Sequence, residues 1–184
     1  MGLLRESLRD PDDAVARQGA MRTEDEMRNV YKGLAYLVAL EVVIQAMVMV
    51  YAIAGLGIWV DGGGVFDKSV FESEDSPFSE AVGFAVHGIN GSIVIPLLAL
   101  ALLVVSFFAR TPGASRWAAL VLLLVVVQAT LGILGHVVAV LGALHGLNAL
   151  LLFTAALYTA RRVPPMRNRG DLPAAATPDV TTTA

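Results

Sequence analysis

The stretch from Trp117 to Ala160, WAALVLLLVVVQATLGILGHVVAVLGALHGLNALLLFTAALYTA, runs 44 residues without a formal charge. As a single helix it would be about 66 Å long, at about 1.5 Å per residue. A bilayer's hydrocarbon core is about 30 Å thick, so the run must fold back on itself. Gly135 and Gly142 bracket the natural turn. Two spans are expected, near 117–137 and 141–161, joined by a tight apolar turn at the membrane surface.

Working outward, two further runs have the same character. The 28 residues between Lys32 and Asp61 carry one charge, Glu41, and the 29 between Glu80 and Arg110 carry none. They predict spans near 33–60 and 84–109, the second kinked at Pro96. A proline inside a membrane helix is tolerated where neighbours satisfy the freed backbone groups. The 184-residue chain is 56% hydrophobic and 16% charged, too poor in charge for an ordinary soluble surface. A net charge of -3 gives no hint of nucleic-acid binding, and with no cysteine there are no disulfides, thiolate metal sites or covalently attached haem.

The cations orient the bundle. Six Lys or Arg fall in residues 1–32, two in 110–116 and four from Arg161 onward; only Lys68 lies in the 61–80 loop, beside six acids. Twelve of thirteen thus share one side, and by the positive-inside rule that side is cytoplasmic. The expected organisation is a cytoplasmic arm over 1–30, a transmembrane domain over 31–162 and a disordered cytoplasmic tail over 163–184. Residues 1–30 lack the apolar run of a signal peptide, and Glu6 stands where a myristoylation signal needs Ser or Thr. Thr23 and Glu26 form a capping-box pattern, which would start a helix there, although a solvated, partly helical arm is the preferred reading.

An internal repeat gives the fold class. Ala85-Val86-His87-Gly88-Ile89-Asn90-Gly91 in the second span matches Ala143-Leu144-His145-Gly146-Leu147-Asn148-Ala149 in the fourth; Gln45-Ala46 in the first matches Gln128-Ala129 in the third. The chain reads as an all-α integral membrane four-helix bundle, built from two hairpins in a parallel pseudo-two-fold repeat about an axis along the membrane normal. His87, His145 and His136 fall at one depth. His87 shares a helical face with Asn90 and Gly91, and His145 with Asn148 and Ala149. Gln128, Gly132 and His136 follow at four-residue steps, as do Glu41 and Gln45. Polar stripes flanked by small residues must face inward in lipid, and polar groups inside a membrane are functional candidates.

Three chemistries suit this pattern. Two imidazoles at one depth on facing helices can supply the axial ligands of a b-type haem. Gly88 and Gly146 would leave room for its ring, and Asn90, Asn148 and Gln128 would orient the groups around it. Alternatively, the same polar groups serve only as hydrogen-bond glue between helices, as in a non-enzymatic accessory subunit. The third reading is a labile copper or zinc ion held by His87, His145 and His136. Glu41 reads as an acid paired with Gln45 or with a neighbouring helix, in preference to a proton path. Met47 and Met49 read as packing, because residues two apart face different ways.

Gln128-Ala129-Thr130-Leu131-Gly132, followed by His145 and Ala149, resembles one four-helix half of haem A synthase, over about residues 80–162. The chain also resembles a family of small uncharacterised bacterial four-helix membrane proteins with His-Gly-x-Asn motifs. The first resemblance implies haem ligands at His87 and His145, near the extracytoplasmic side of a bacterial inner membrane. The chain departs from that family at Gly88, where arginine is usual, and in having Phe84, Ala85 and Val86 ahead of His87, where the family carries a glutamate linked to the oxidation chemistry. The expectation is therefore haem b used for electron transfer or as a structural or sensing cofactor. No catalytic residue is assigned. The partners expected are the lipid bilayer and a redox protein or companion membrane subunits. The topology predicts that a cysteine placed in the 61–80 loop reacts with an impermeant thiol reagent applied from outside the cell, whereas one at residue 113 is protected. The reverse labelling pattern would overturn the orientation.

Overall fold

The computed structural model describes residues 11–68, 70 and 76–163. The tail expected over 163–184 and the start of the arm therefore lie almost wholly outside the described residues, as do Glu72, Glu74 and Asp75 of the acidic loop. Four helices make the fold: α1 (Pro11–Asp61), α2 (Ser79–Ser106), α3 (Ala114–Gly135) and α4 (Ala139–Arg161). Each is long and apolar enough to cross a membrane. Among the described residues there is no strand, and the chain is a multi-pass, all-α membrane bundle.

The helices form a ring. α1 packs on α2 and α4, and α3 packs on the same two. One end of the bundle holds the end of α1, the start of α2 and the turn at 136–138; the other holds the 107–113 loop and Arg161. We call these the histidine end and the arginine end. At the turn, a Cβ on Gly135 would stand 3.0 Å from the Cα of Gly142, so the two glycines are where α3 and α4 touch backbone to backbone.

α1 differs from expectation at its start. It is 51 residues long, or about 76 Å at about 1.5 Å per residue, and begins well before the membrane run. Thr23 does not cap it. Its hydroxyl donates to the carbonyl of Gly19 one turn back, at 3.1 Å, so Thr23 sits inside the helix. The capping-box pattern fails because a cap needs a non-helical residue at that position, and the helix has already formed by then. Glu24 on this extension pairs with Arg110 at the foot of α2. Tyr31, buried, donates to the Ala114 carbonyl at 3.0 Å. These contacts tie the start of α1 to the arginine end.

α2 is a composite. A 3-10 turn over Ser79–Ala81 leads into α-helix at Val82–Ile89, a π-helical turn at Asn90–Val94 and α-helix again at Ile95–Ser106. Pro96 sits just after the π turn. Its ring presses on the carbonyl four residues back and it has no N–H to donate, and the wider turn absorbs both faults. The expected kink thus takes the form of a π turn, and it falls beside Asn90 and Gly91.

The apolar core lies toward the arginine end. Tyr31, Ala35, Val38, Ala99, Leu102, Ala118, Val121 and Ala156 are among its buried members. Small residues dominate because lipid provides no hydrophobic drive, and close backbone approach supplies the packing. Toward the histidine end, contact is mainly within each hairpin. A Cβ on Gly83 would come within 2.6 Å of the Val48 carbonyl and 3.0 Å of the Ala52 Cβ. Gly83→Leu is therefore expected to force α1 and α2 apart at a cost of about 1–3 kcal/mol, read as a lowered unfolding midpoint in detergent. Gly88→Ala, whose added Cβ would meet nothing within 4 Å, should leave the midpoint almost unchanged.

Candidate functional site

A cleft of about 660 Å³ opens between the two hairpins and is lined from all four helices. It lies within the common size range of small-molecule sites, about 300–1,000 Å³, and is mostly apolar with a few polar groups, as such sites are. Its lining repeats with the sequence. Val42, Gln45, Ala46, Met49 and Val50 of α1 correspond, at a constant offset of 83, to Val125, Gln128, Ala129, Gly132 and Ile133 of α3. His87, Gly88, Gly91, Ser92 and Ile95 of α2 correspond, at an offset of 58, to His145, Gly146, Ala149, Leu150 and Phe153 of α4. Val43 and Leu152 complete it. The cleft is open at its sides: the equivalent residues Val50 and Ile133 are 68% and 69% exposed.

His87 and His145 face each other across this cleft. Their ring centroids are 6.1 Å apart and their planes are inclined at 58°. Each ring is anchored in the same manner. His87 Nδ1 lies 3.2 Å from the backbone oxygen of Gln45, and His145 Nδ1 lies 3.0 Å from that of Gln128. A carbonyl can only accept, so each Nδ1 carries the proton and each Nε2 presents its lone pair. The carbonyls are available because a peptide oxygen has two lone pairs and the helix ladder uses one.

Beyond the rings the symmetry breaks. Gln128 Nε2 stands 3.1 Å from His145 Nε2 and donates to it. Asn148 then donates to Gln128 Oε1 at 2.6 Å and to the Leu124 carbonyl at 2.9 Å. On the other hairpin, Gln45 Nε2 turns away from the ring and donates to the His87 carbonyl at 3.1 Å. Asn90 donates not to Gln45 but to Glu41 Oε2, at 2.7 Å. Gln45 Oε1, buried, has no hydrogen-bond partner. Glu41 occupies the position equivalent to Leu124, and its carboxylate gives Asn90 an acceptor that Asn148 lacks. Glu41 is thus held by a neighbouring helix, though its partner is Asn90 and not Gln45.

Gly88 and Gly146 both line the cleft, with nothing within 4 Å of a Cβ built on either. Gly132 makes room for a ligand ring directly, because a Cβ there would be 3.1 Å from His145. Met49 lines the cleft and Met47 faces outward. The structure does not bring His136 to the other two histidines. It caps the end of α3, is exposed, and lies outside the cleft. Among the described residues no group of three or more His, Cys, Asp or Glu side chains stands where it could hold a metal ion.

Sequence reasoning placed Gln128 in the site but left Gln45 out; the repeat pairing of Gln45-Ala46 with Gln128-Ala129 was the signal that could have included it. The backbone carbonyls left no signal, since every residue has one. Comparison with protein-family models, with curated proteins and with solved structures finds no match.

Asn148 closes the polar network of the second hairpin, so Asn148→Leu strands Gln128 Oε1. The expected loss is about 0.6–2 kcal/mol, the range for interhelical hydrogen bonds in membranes. It would be measured as a fall in the unfolding midpoint in detergent. An unchanged midpoint would show that the network contributes nothing to stability.

Proposed function

We propose that this protein is a membrane haem protein in which His87 and His145 bind one b-type haem between the hairpins. The observation that carries the reading is the matched pair of imidazole–carbonyl bonds. Metal-bound histidine almost always donates its other ring nitrogen to a carbonyl or carboxylate, which fixes the tautomer and aims the free nitrogen at the metal. Both rings have that arrangement, at one depth and on opposite walls of one cleft. The spacing is compatible. A first-row metal binds imidazole nitrogen at about 2 Å, so two rings sharing one metal have centroids about 6 Å apart. The mostly apolar lining and the bare Gly88 and Gly146 suit a planar ring.

In this reading His87 and His145 would hold the haem iron through their Nε2 atoms. Gln45 and Gln128 would position them through their backbone carbonyls, and the Gln128 amide would stand beside the His145 nitrogen. Asn148 and Asn90 hold the surrounding polar groups. When bound, the haem supplies a one-electron couple, for electron transfer or as a structural or sensing cofactor. The protein lies in a bacterial cytoplasmic membrane with both ends cytoplasmic and the histidine end outside. Its partners are the bilayer and a redox protein or companion subunits, with no nucleic acid among them. A second reading, a non-enzymatic accessory subunit, is favoured by the closed Gln128–His145–Asn148 network, which satisfies its polar groups without a ligand.

Absorption spectra of protein purified from haem-replete cells test this. Redox-sensitive Soret and alpha bands are expected from the wild type, with loss of both in His87→Ala and in His145→Ala. His136→Ala should keep them, since that side chain lies outside the cleft. A colourless, metal-free protein would leave the accessory reading. Copper or zinc without haem, or equal losses in all three variants, would favour a metal site.

A further inference from the structure

The two histidines are not equivalent, and the difference points to a ligand that a bis-histidine site would ordinarily exclude. His145 Nε2 already has an alternative partner, the amide of Gln128 at 3.1 Å. That amide is held in the donating orientation, because Asn148 donates to its oxygen at 2.6 Å and an amide oxygen so engaged leaves its NH2 to face the ring. His145 Nδ1 is satisfied in the same conformation by the Gln128 carbonyl. The His145 ring therefore has a complete set of hydrogen bonds while bound to nothing. His87 has no such set. Its Nδ1 is anchored, but Gln45 turns its amide to the backbone oxygen of His87. Among the described residues no donor reaches His87 Nε2.

We propose that a small neutral diatomic ligand, of which carbon monoxide is the probe, takes the place of His145 on the haem iron while His87 stays bound. This rests on the haem reading above. In the exchange the bond from iron to His145 Nε2 breaks and a bond from iron to the carbon of carbon monoxide forms. The lone pair released on Nε2 accepts the Gln128 N–H, and no proton or electron moves. An imidazole leaving iron in an apolar site normally strands a bare acceptor, which is costly. Here Gln128 receives it. The cleft gives a neutral molecule a route as well, since it opens sideways at Val50 and Ile133 and is mainly apolar.

The test is a carbon monoxide titration of the dithionite-reduced, haem-loaded full chain in detergent, followed by the Soret band. The wild type is expected to bind, with slow association limited by departure of His145. Gln128→Leu removes the receiving amide and should weaken affinity about two- to tenfold, the worth of one hydrogen bond. Asn148→Ala frees the amide to rotate without touching His145, and should shift affinity the same way by less. A ferrous protein that holds haem but whose bands do not move under carbon monoxide would overturn the inference and leave the haem reading standing. So would an unchanged affinity in Gln128→Leu. A chain that binds no haem at all would overturn both.

Discussion

Two hydrogen bonds set the geometry of this protein: His87 Nδ1 to the Gln45 carbonyl and His145 Nδ1 to the Gln128 carbonyl. An imidazole inside a membrane must find a partner, because lipid offers none and an unpaired polar group is costly there. A helix backbone has only its second carbonyl lone pair to spare. To reach it, the ring must point its Nδ1 edge at the neighbouring helix, and that helix must come close. The small residues at the hairpin interfaces follow from this. Gly91 sits against the Gln45 amide, Gly132 against the His145 ring and Gly83 against Val48 and Ala52. A larger side chain at any of them would hold the helices too far apart for the bond that orients the site.

The same constraint divides the bundle along its length. At the arginine end the hairpins are fused by alanine and valine. Ala35 and Val38 of α1 and their counterparts Ala118 and Val121 of α3 are all buried. Arg162 closes this end, its guanidinium 5.6 Å from the Trp117 ring and 5.4 Å from that of Tyr158, where a cation on aromatic faces is favoured. At the histidine end each hairpin is held by its own polar contacts, and the two separate to form the cleft. The packed end fixes the relative placement of the hairpins, and the open end makes use of it. The π turn of α2 falls at the boundary, beside Asn90.

Much of this was legible in the letters. Charge-free runs marked four spans, and apart from the start of α1, which begins at Pro11 and not at 33, their limits fall close to the ends of the helices, the largest remaining offset being at the start of α2, at Ser79 and not at 84. The repeat of His-Gly-x-Asn was visible because two hairpins related by a two-fold axis must present the same groups to it. What the letters concealed was whatever belongs to the backbone. The carbonyl partners of the two rings have no sequence signature, and neither does a π turn that relieves a proline two residues onward. The helical start of α1 was hidden for a different reason. Thr23 and Glu26 carry a capping pattern, but a pattern cannot say whether the chain ahead of it is already helical. His136 matched the other histidines in depth, yet depth does not fix direction. Standing at the end of α3, it faces outward.

The place where the repeat fails is as informative as the repeat. Equivalent positions hold Glu41 and Leu124, and a carboxylate is a stronger acceptor than an amide oxygen. Asn90 therefore turns to Glu41, while Asn148, with no carboxylate to meet, turns to Gln128. The consequence passes up each hairpin to its ring. On the second, a braced amide reaches the imidazole. On the first, Gln45 is left with a buried oxygen that has no donor, a defect of about 1–3 kcal/mol. A bundle consolidated at its far end can carry that defect. A planar group seated on the axis would thus meet a braced histidine on one face and, on the other, a histidine whose free nitrogen has no competing donor. Glu41, a full turn below the amide of Gln45, and Met49, where the second hairpin has Gly132 against His145, give the two-fold scaffold two different sides.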